Sequence, residues 1–214
     1  MTDERIPVAK EGAPFFGCAA FLALVAAILG SVFLTLLFLL AALFFIYFFR
    51  DPERSFTSQK GAVISPADGK IVALSTVKAN EYGGEECFKL SIFMSPFNVH
   101  VNRAPVDCSV CGLTYTSGRY WAADKDVASR ENERNALSLE TGDGRKVVMV
   151  QVAGFLARRI VCRARPGDRL AQAERFGLIR MGSRVDLYLP PDFTPWVRMG
   201  ERVRAGQTTL GILP

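Results

Sequence analysis

The chain has 214 residues, 26 of them Lys or Arg against 21 Asp or Glu, for a formal net charge of +5. So small and dispersed an excess makes no case for nucleic acid; beside a membrane segment it fits anionic lipid surfaces or phosphate-bearing substrates. Five cysteines, with Cys18 inside an apolar run, make no disulfide framework and fit a reducing compartment.

From Phe15 to Phe49 no residue is charged. The apolar core of a signal peptide is about 7–15 residues long and is followed by small residues at a cleavage site. This run is far longer and ends in FFIYFF, so residues 1–50 read as a retained membrane anchor. A spanning helix needs ~20 residues. One helix over 15–49 is overlong or strongly tilted; two helices broken at Gly30-Ser31 make a hairpin, which is favoured. Basic residues flank both ends (Arg5 and Lys10; Arg50, Arg54 and Lys60), so the rest of the chain is expected at the cytoplasmic face of the inner membrane.

The polar stretch RDPERSFTSQK contains Pro52 and reads as a linker, assigned to residues 51–61. A catalytic domain over 62–214 follows as short β-type runs. Ala62–Ile64 and Lys70–Leu74 flank the turn SPADG. Cys87–Met94, Asn98–Arg103 and Val110–Tyr115 come next. Ala136–Glu140 and Arg145–Ala153 flank TGDG, a hairpin signal. Arg158–Arg163 precedes RPGD. Ile179–Pro190 is one strand, and Val203 and Thr208–Leu213 form a last pair around RAGQ. Tyr120–Asn135 is either a polar helix or a loop. The domain is therefore mostly β, a closed or sandwiched sheet. Its tail, WVRMGERVRAGQTTLGIL, resembles the hairpin of biotinyl and lipoyl barrel-sandwich domains. No lysine follows Lys146, which disfavours a carrier of that kind.

Side chains alternate across a strand. In IRMGSRVDLYLP the odd positions, Ile179 to Leu189, are apolar except for Ser183, which follows Gly182. The string lacks the second glycine of a G-x-S-x-G elbow. His100 is the one histidine of the chain, so general-base chemistry by an imidazole must use it. It shares a strand face with Asn102. Asp68 sits in a turn pair, Asp-Gly. Cys108 and Cys111, three apart on a strand, point to opposite faces and read as packing residues, so no metal site is expected. TGDGRK lacks the Walker pattern. Arg130, Glu131, Glu133 and Arg134 form a solvated face or a substrate-facing segment. Arg103, Arg158 and Arg159 are candidates for gripping a phosphate. Together, Asp68, His100 and Ser183 supply the parts of a proton-relay triad.

The strings FFRDPER, ISPADGKI, MSPFNVHVNRAPV, NERN and ARRIVCRARPGDRLAQAERFGLIRMGSRVDLYLP resemble the phosphatidylserine decarboxylase proenzymes, in their short membrane-anchored subgroup. The resemblance covers nearly the whole chain. It implies a precursor that cuts itself between Gly182 and Ser183 into a β chain, 1–182, and an α chain, 183–214. It implies Asp68, His100 and Ser183 as the catalytic residues, with Ser183 becoming a covalent pyruvoyl cofactor. The implied reaction converts phosphatidylserine to phosphatidylethanolamine and CO₂. A homodimer is implied by the resemblance alone. Many members carry LGST at the cut site, where this chain has MGSR; others carry a histidine where this chain has Phe97. The group that holds the substrate carboxylate is therefore unassigned. Competing readings are decarboxylation of another serine-headed lipid, a membrane-bound serine hydrolase using the same three residues, and a non-enzymatic barrel-sandwich module.

Overall fold

The uncharged run is interrupted where glycine permits a turn. The structure, a computed structural model, describes residues 7–56, 59–78, 86–123, 127–155, 159–180 and 182–214. Helix α1 (Ala13–Ile28) and helix α2 (Val32–Phe48) are separated by Leu29, Gly30 and Ser31. Gly30 has φ +74°, a left-handed conformation that costs glycine little. The helices run antiparallel: the Phe15 ring lies 5.5 Å from Phe45 and from Phe49, and the Ala9 N–H donates to the Phe49 carbonyl at 2.7 Å. Small residues (Ala19, Ala23, Ala26 and Ala42) are buried between the helices, which lets them approach closely, and Phe48 and Phe49 are buried where α2 ends. Phe21, Leu24, Phe33, Leu36 and Leu40 are exposed. The segment Lys10–Ile28 is long and apolar enough to cross a membrane. An exposed apolar surface on both helices is costly in water and is what a bilayer accommodates.

The chain divides into two compact units, one ending at Glu53 and one comprising Arg54–Pro214. Among its described residues the second unit contains fourteen strands: β1 (Ala62–Ile64), β2 (Gly69–Lys78), β3 (Glu86–Met94), β4 (Val101–Arg103), β5 (Cys108–Thr116), β6 (Arg134–Thr141), β7 (Lys146–Val152), β8 (Ile160–Cys162), β9 (Arg169–Leu170), β10 (Arg175–Ile179), β11 (Ser183–Leu189), β12 (Thr194–Pro195), β13 (Arg202–Val203) and β14 (Thr209–Ile212). One helical turn, α3 (Ala128–Glu131), precedes β6. The main sheet is curled and has eight strands in the order β13-β2-β3-β11-β7-β6-β5-β9. Two three-stranded sheets, β1-β14-β12 and β4-β10-β8, accompany it. This is the mostly β, barrel-like architecture expected, behind an apolar helical hairpin.

The core lies on the inner face of the main sheet. Leu90 and Ile92 of β3, Val185 and Leu187 of β11, Met149 of β7 and Leu137 of β6 meet there. Burying such side chains contributes about 1.5–3 kcal/mol each. Strand β11 is central, pairing β3 on one side and β7 on the other.

Three sequence-based expectations need correction. Ile179–Pro190 is not one strand: β10 ends at Ile179 in the small sheet, and β11 starts at Ser183 in the large one. Asn98 belongs to a turn, where its side-chain oxygen accepts from the Ser95 N–H and hydroxyl at 2.9 and 2.7 Å, so the strand starts only at Val101. Among the described residues of the segment 120–135, helix is confined to Ala128–Glu131. Its polar side chains bond to one another across the loop, as Tyr120 does to Glu133 and Trp121 to Glu131, and Ser129 reaches Asp186 of β11.

The register of β2 against β3 depends on Gly69. A Cβ there would lie 2.1 Å from the Phe93 carbonyl oxygen. We expect Gly69→Ala to cost about 1–3 kcal/mol through forced displacement of β3. Thermal denaturation of the purified protein checks this, and an unchanged midpoint would contradict the close approach.

Candidate functional site

Three chain segments converge at the end of the main sheet where β11 begins. Ser183 is its first residue and pairs with Met94, the last residue of β3. Its side chain is fully buried, and the hydroxyl lies 3.3 Å from the Met94 sulfur. A thioether is a weak acceptor. The hydroxyl is therefore not committed to a strong structural bond there. Gly69 packs against Phe93, which brings Asp68, the residue before β2, to this same end.

His100 precedes β4 and is 3% exposed. Its carbonyl accepts from the Ile179 N–H at 3.3 Å, so the histidine is tied to the end of β10. Ring nitrogen Nδ1 lies 2.9 Å from the Asn98 carbonyl. A carbonyl only accepts, so this contact assigns the proton to Nδ1 and leaves Nε2 as the basic nitrogen. Asn102 shares the His100 face. The Gln151 amide donates to Asn102 Oδ1 at 2.9 Å, and the Asn135 amide donates to Gln151 Oε1 at 3.2 Å. Asn102 Nδ2 also reaches the Met94 sulfur at 3.9 Å. This buried row holds β4 against the inner face of the large sheet, next to the strand end that carries Ser183.

Asp68 is engaged differently from a triad acid. Arg54 donates Nη1 to Oδ1 at 2.5 Å and Nη2 to Oδ2 at 2.8 Å, and the Ala205 N–H donates to Oδ1 at 2.8 Å. Among the described residues no hydrogen bond joins Asp68 to His100. The Asn98 carbonyl occupies the orienting position on the ring.

The bond between residues 182 and 183 lies where the chain passes from the small sheet to the large one. Gly182 has φ +66°, and a Cβ on it would meet nothing within 4 Å. Its need for glycine is thus conformational, and no neighbour excludes a side chain. Its carbonyl oxygen is closely packed, because a Cβ on Gly154 would lie 1.5 Å from it. Asn132 fixes that neighbourhood, donating Nδ2 to the carbonyls of Ala153 and Trp121 at 2.8 Å each. The NERN segment is thus partly internal. Asn132 and Glu133 are buried, and Glu133 accepts from the Tyr120 hydroxyl at 2.6 Å. Sequence reading missed Met94, Asn98, Arg54 and Gly154. Arg54, Met94 and Asn98 had a signal, their places in FFRDPER and MSPFNVHVNRAPV; Gly154 acts through its backbone and had none.

The remaining candidates are more dispersed. Arg103 is buried, donates to the Ala173 carbonyl at 3.2 Å and lies against Gly206. Arg159 is exposed, and its carbonyl accepts from the Arg180 N–H at 3.1 Å. Arg158 lies outside the described residues. Cys108 is buried and Cys111 exposed; burial first, then Asp107 and Glu174, push the Cys108 thiol up to about 11. A cleft of about 490 Å³, lined by Lys60, Asp107, Asp143, Arg145 and Pro214, lies at the opposite end of the sheet from Ser183.

Arg184 faces away from Ser183. It is 1% exposed, with Nε 2.5 Å from Asp186 Oδ1 and Nη2 donating to Ser91 at 2.8 Å. Ser129 of α3 donates to Asp186 Oδ2 at 2.8 Å, and Lys89 lies 3.4 Å from that oxygen. The polar face of β11 is thus covered and paired. We expect Asp186→Ala to cost about 3–5 kcal/mol, because it strands buried cations. The double change Arg184→Met with Asp186→Leu should cost clearly less; urea denaturation of both variants checks the difference.

The family profile for phosphatidylserine decarboxylase matches residues 41–211. A phosphatidylserine decarboxylase proenzyme of Desulfotalea psychrophila is 49% identical over 211 residues, covering 99% of each chain. Proenzymes of the same name from Geobacter metallireducens and Geotalea uraniireducens are 47% and 46% identical, each covering 100% of both chains.

Proposed function

We propose the following activity for this chain, which belongs to the phosphatidylserine decarboxylase family: it cuts itself between Gly182 and Ser183, acquires a pyruvoyl group at 183, and decarboxylates phosphatidylserine to phosphatidylethanolamine. The observation that carries this is the setting of Ser183. A fully buried hydroxyl with a thioether for a neighbour directly follows a left-handed glycine at a sheet crossover. An enzyme acting on external esters needs an accessible nucleophile. This serine is instead adjacent to the carbonyl of its own preceding residue.

In maturation, Ser183 Oγ attacks the Gly182 carbonyl carbon while His100 Nε2 takes the hydroxyl proton. The Asn98 carbonyl supports the charged imidazole through Nδ1, and Asp68, paired with Arg54, lies at the same end of the sheet. The Gly182–Ser183 C–N bond breaks, its nitrogen takes a proton, and Gly182 is left esterified to Oγ. Loss of the Ser183 α-proton then expels the Gly182 carboxylate. Addition of water and loss of ammonia complete the change at 183. Ser183–Leu189 pair with β3 and 184–188 pair with β7, so these ladders hold the new chain end in place.

A pyruvoyl group is small and lacks a charge, which fits the buried, uncharged setting of Ser183 beside Met94. When bound, it supplies a carbonyl that reacts with the substrate amine and accepts the electrons of the breaking bond to CO₂. His100 is the residue to move protons there. Arg159, exposed and bonded through its carbonyl to the Arg180 N–H, is a candidate for the lipid phosphate, as are Arg103 and Arg158. Exposed Phe97 and Phe155 support a lipid substrate, since they stand three residues before His100 and one after Gly154. The apolar hairpin then keeps the domain at the inner membrane, on its cytoplasmic side.

Denaturing mass spectrometry of purified protein should give two fragments, 1–182 and 183–214, the smaller with a blocked end. Ser183→Ala should remain one chain, and His100→Ala should mature at least about 100-fold more slowly. Active protein with an intact chain and an ordinary serine at 183 would sink the proposal.

The two fragments should also stay together without denaturant. Strands β11, β13 and β14 of the smaller piece pair with β3, β7, β2 and β1 of the larger one. Gel filtration in mild detergent should elute both as one species; separation there would contradict these pairings.

A further inference from the structure

We propose that Arg54 is a positioning residue for self-cleavage and acts through Asp68. The inference rests on the reading above. Arg54 is the last residue of FFRDPER, whose role the site chemistry leaves open. Its side chain is 7% exposed and that of Asp68 is 11% exposed. The guanidinium meets the carboxylate edge to edge, at 2.5 and 2.8 Å. Nη1 also donates to the Ala205 carbonyl at 2.7 Å, and the Ala205 N–H returns a bond to Asp68 Oδ1 at 2.8 Å. The three groups form a closed ring of contacts.

That ring has two physical consequences. A carboxylate held through both oxygens by a planar fork cannot rotate or leave the buried end of the sheet. Without the fork, an anionic Asp68 is buried with one backbone amide as its partner, and it must take a proton or move. The ring also spans the bond to be cut. Arg54 and Asp68 lie before Gly182, and Ala205 lies after it. The clamp therefore sets the position of Asp68 relative to the segment that carries Ser183, before and after cleavage. A lysine at 54 is a point charge and cannot grip both oxygens together.

The test follows cleavage of freshly made precursor by denaturing mass spectrometry, with folding checked by circular dichroism. Arg54→Ala should slow cleavage about 10- to 100-fold, and Arg54→Lys should recover only part of the loss. Guanidinium ion, added far below denaturing concentrations, should speed Arg54→Ala and leave Ser183→Ala uncut. Combining Arg54→Ala with Asp68→Asn should be no slower than Asp68→Asn alone. Wild-type rates in Arg54→Ala or Arg54→Lys would overturn the proposal. So would losses that multiply in the double variant, or a folded Arg54→Ala that guanidinium does not speed. Should Arg54→Ala fail to fold, Arg54→Lys decides alone: slowed cleavage in a folded chain supports the clamp. If the unmodified chain itself is never cut at 182–183, the failure belongs to the proposed function and not to Arg54.

Discussion

The site depends on one constraint: the chain must leave one sheet and enter another within a few residues. Strand β10 is the middle strand of the small sheet, and β11 is central in the large one. Both are held on two sides, so the residues between them have little freedom. Gly182 takes up the turn with a left-handed backbone, and Ser183 must begin the next strand facing inward. This situation suits the self-cleavage proposed above. A nucleophile and the carbonyl before it are held in one fixed relation, while the bond between them belongs to neither ladder.

Around that crossover the structure uses backbone groups where a sequence reading expects side chains. The imidazole is oriented by the Asn98 carbonyl, itself fixed by a turn that Ser95 and Asn98 close. The Gly182 carbonyl rests on Gly154, and Asn132 holds the strand end before it. Asp68, the natural partner for a histidine, is held by Arg54 and Ala205. A relay of three side chains becomes two adjoining arrangements: a histidine held by a carbonyl, and an acid held by an arginine. The ring's Nδ1 and both oxygens of the acid each have a partner, which buried polar groups require.

The two faces of β11 show how far such satisfaction extends. The inner face carries apolar residues and one hydroxyl. The outer face carries Arg184 and Asp186, both buried, with Ser91, Lys89 and Ser129 completing the network. Burying an ion pair adds little net stability, but leaving half of one is severe. A sheet with polar pairing behind it and apolar packing in front has one register that satisfies both. Arg184 is therefore explained by its partners Asp186 and Ser91, with Ser129 of the covering segment bonded to Asp186.

The sequence by itself was enough for the apolar helical hairpin, the β class and the choice of Ser183, His100 and Asp68 as candidates. The reasons are local. An uncharged run of that length is long and apolar enough to cross a membrane, alternation exposes a lone hydroxyl among apolar neighbours, and a single histidine leaves no other choice. The hairpin break was legible in Gly30-Ser31. The continuity of Ile179–Pro190 was misread because periodicity follows side chains and is blind to which sheet a strand joins. The tertiary structure alone decided that Asp68 meets Arg54 instead of His100, that Asn98 orients the ring, and that Gly154 sits against the Gly182 carbonyl. These are contacts between segments far apart in the chain, several made by backbone atoms that every residue carries. No residue type announces them, and only the folded geometry brings them together.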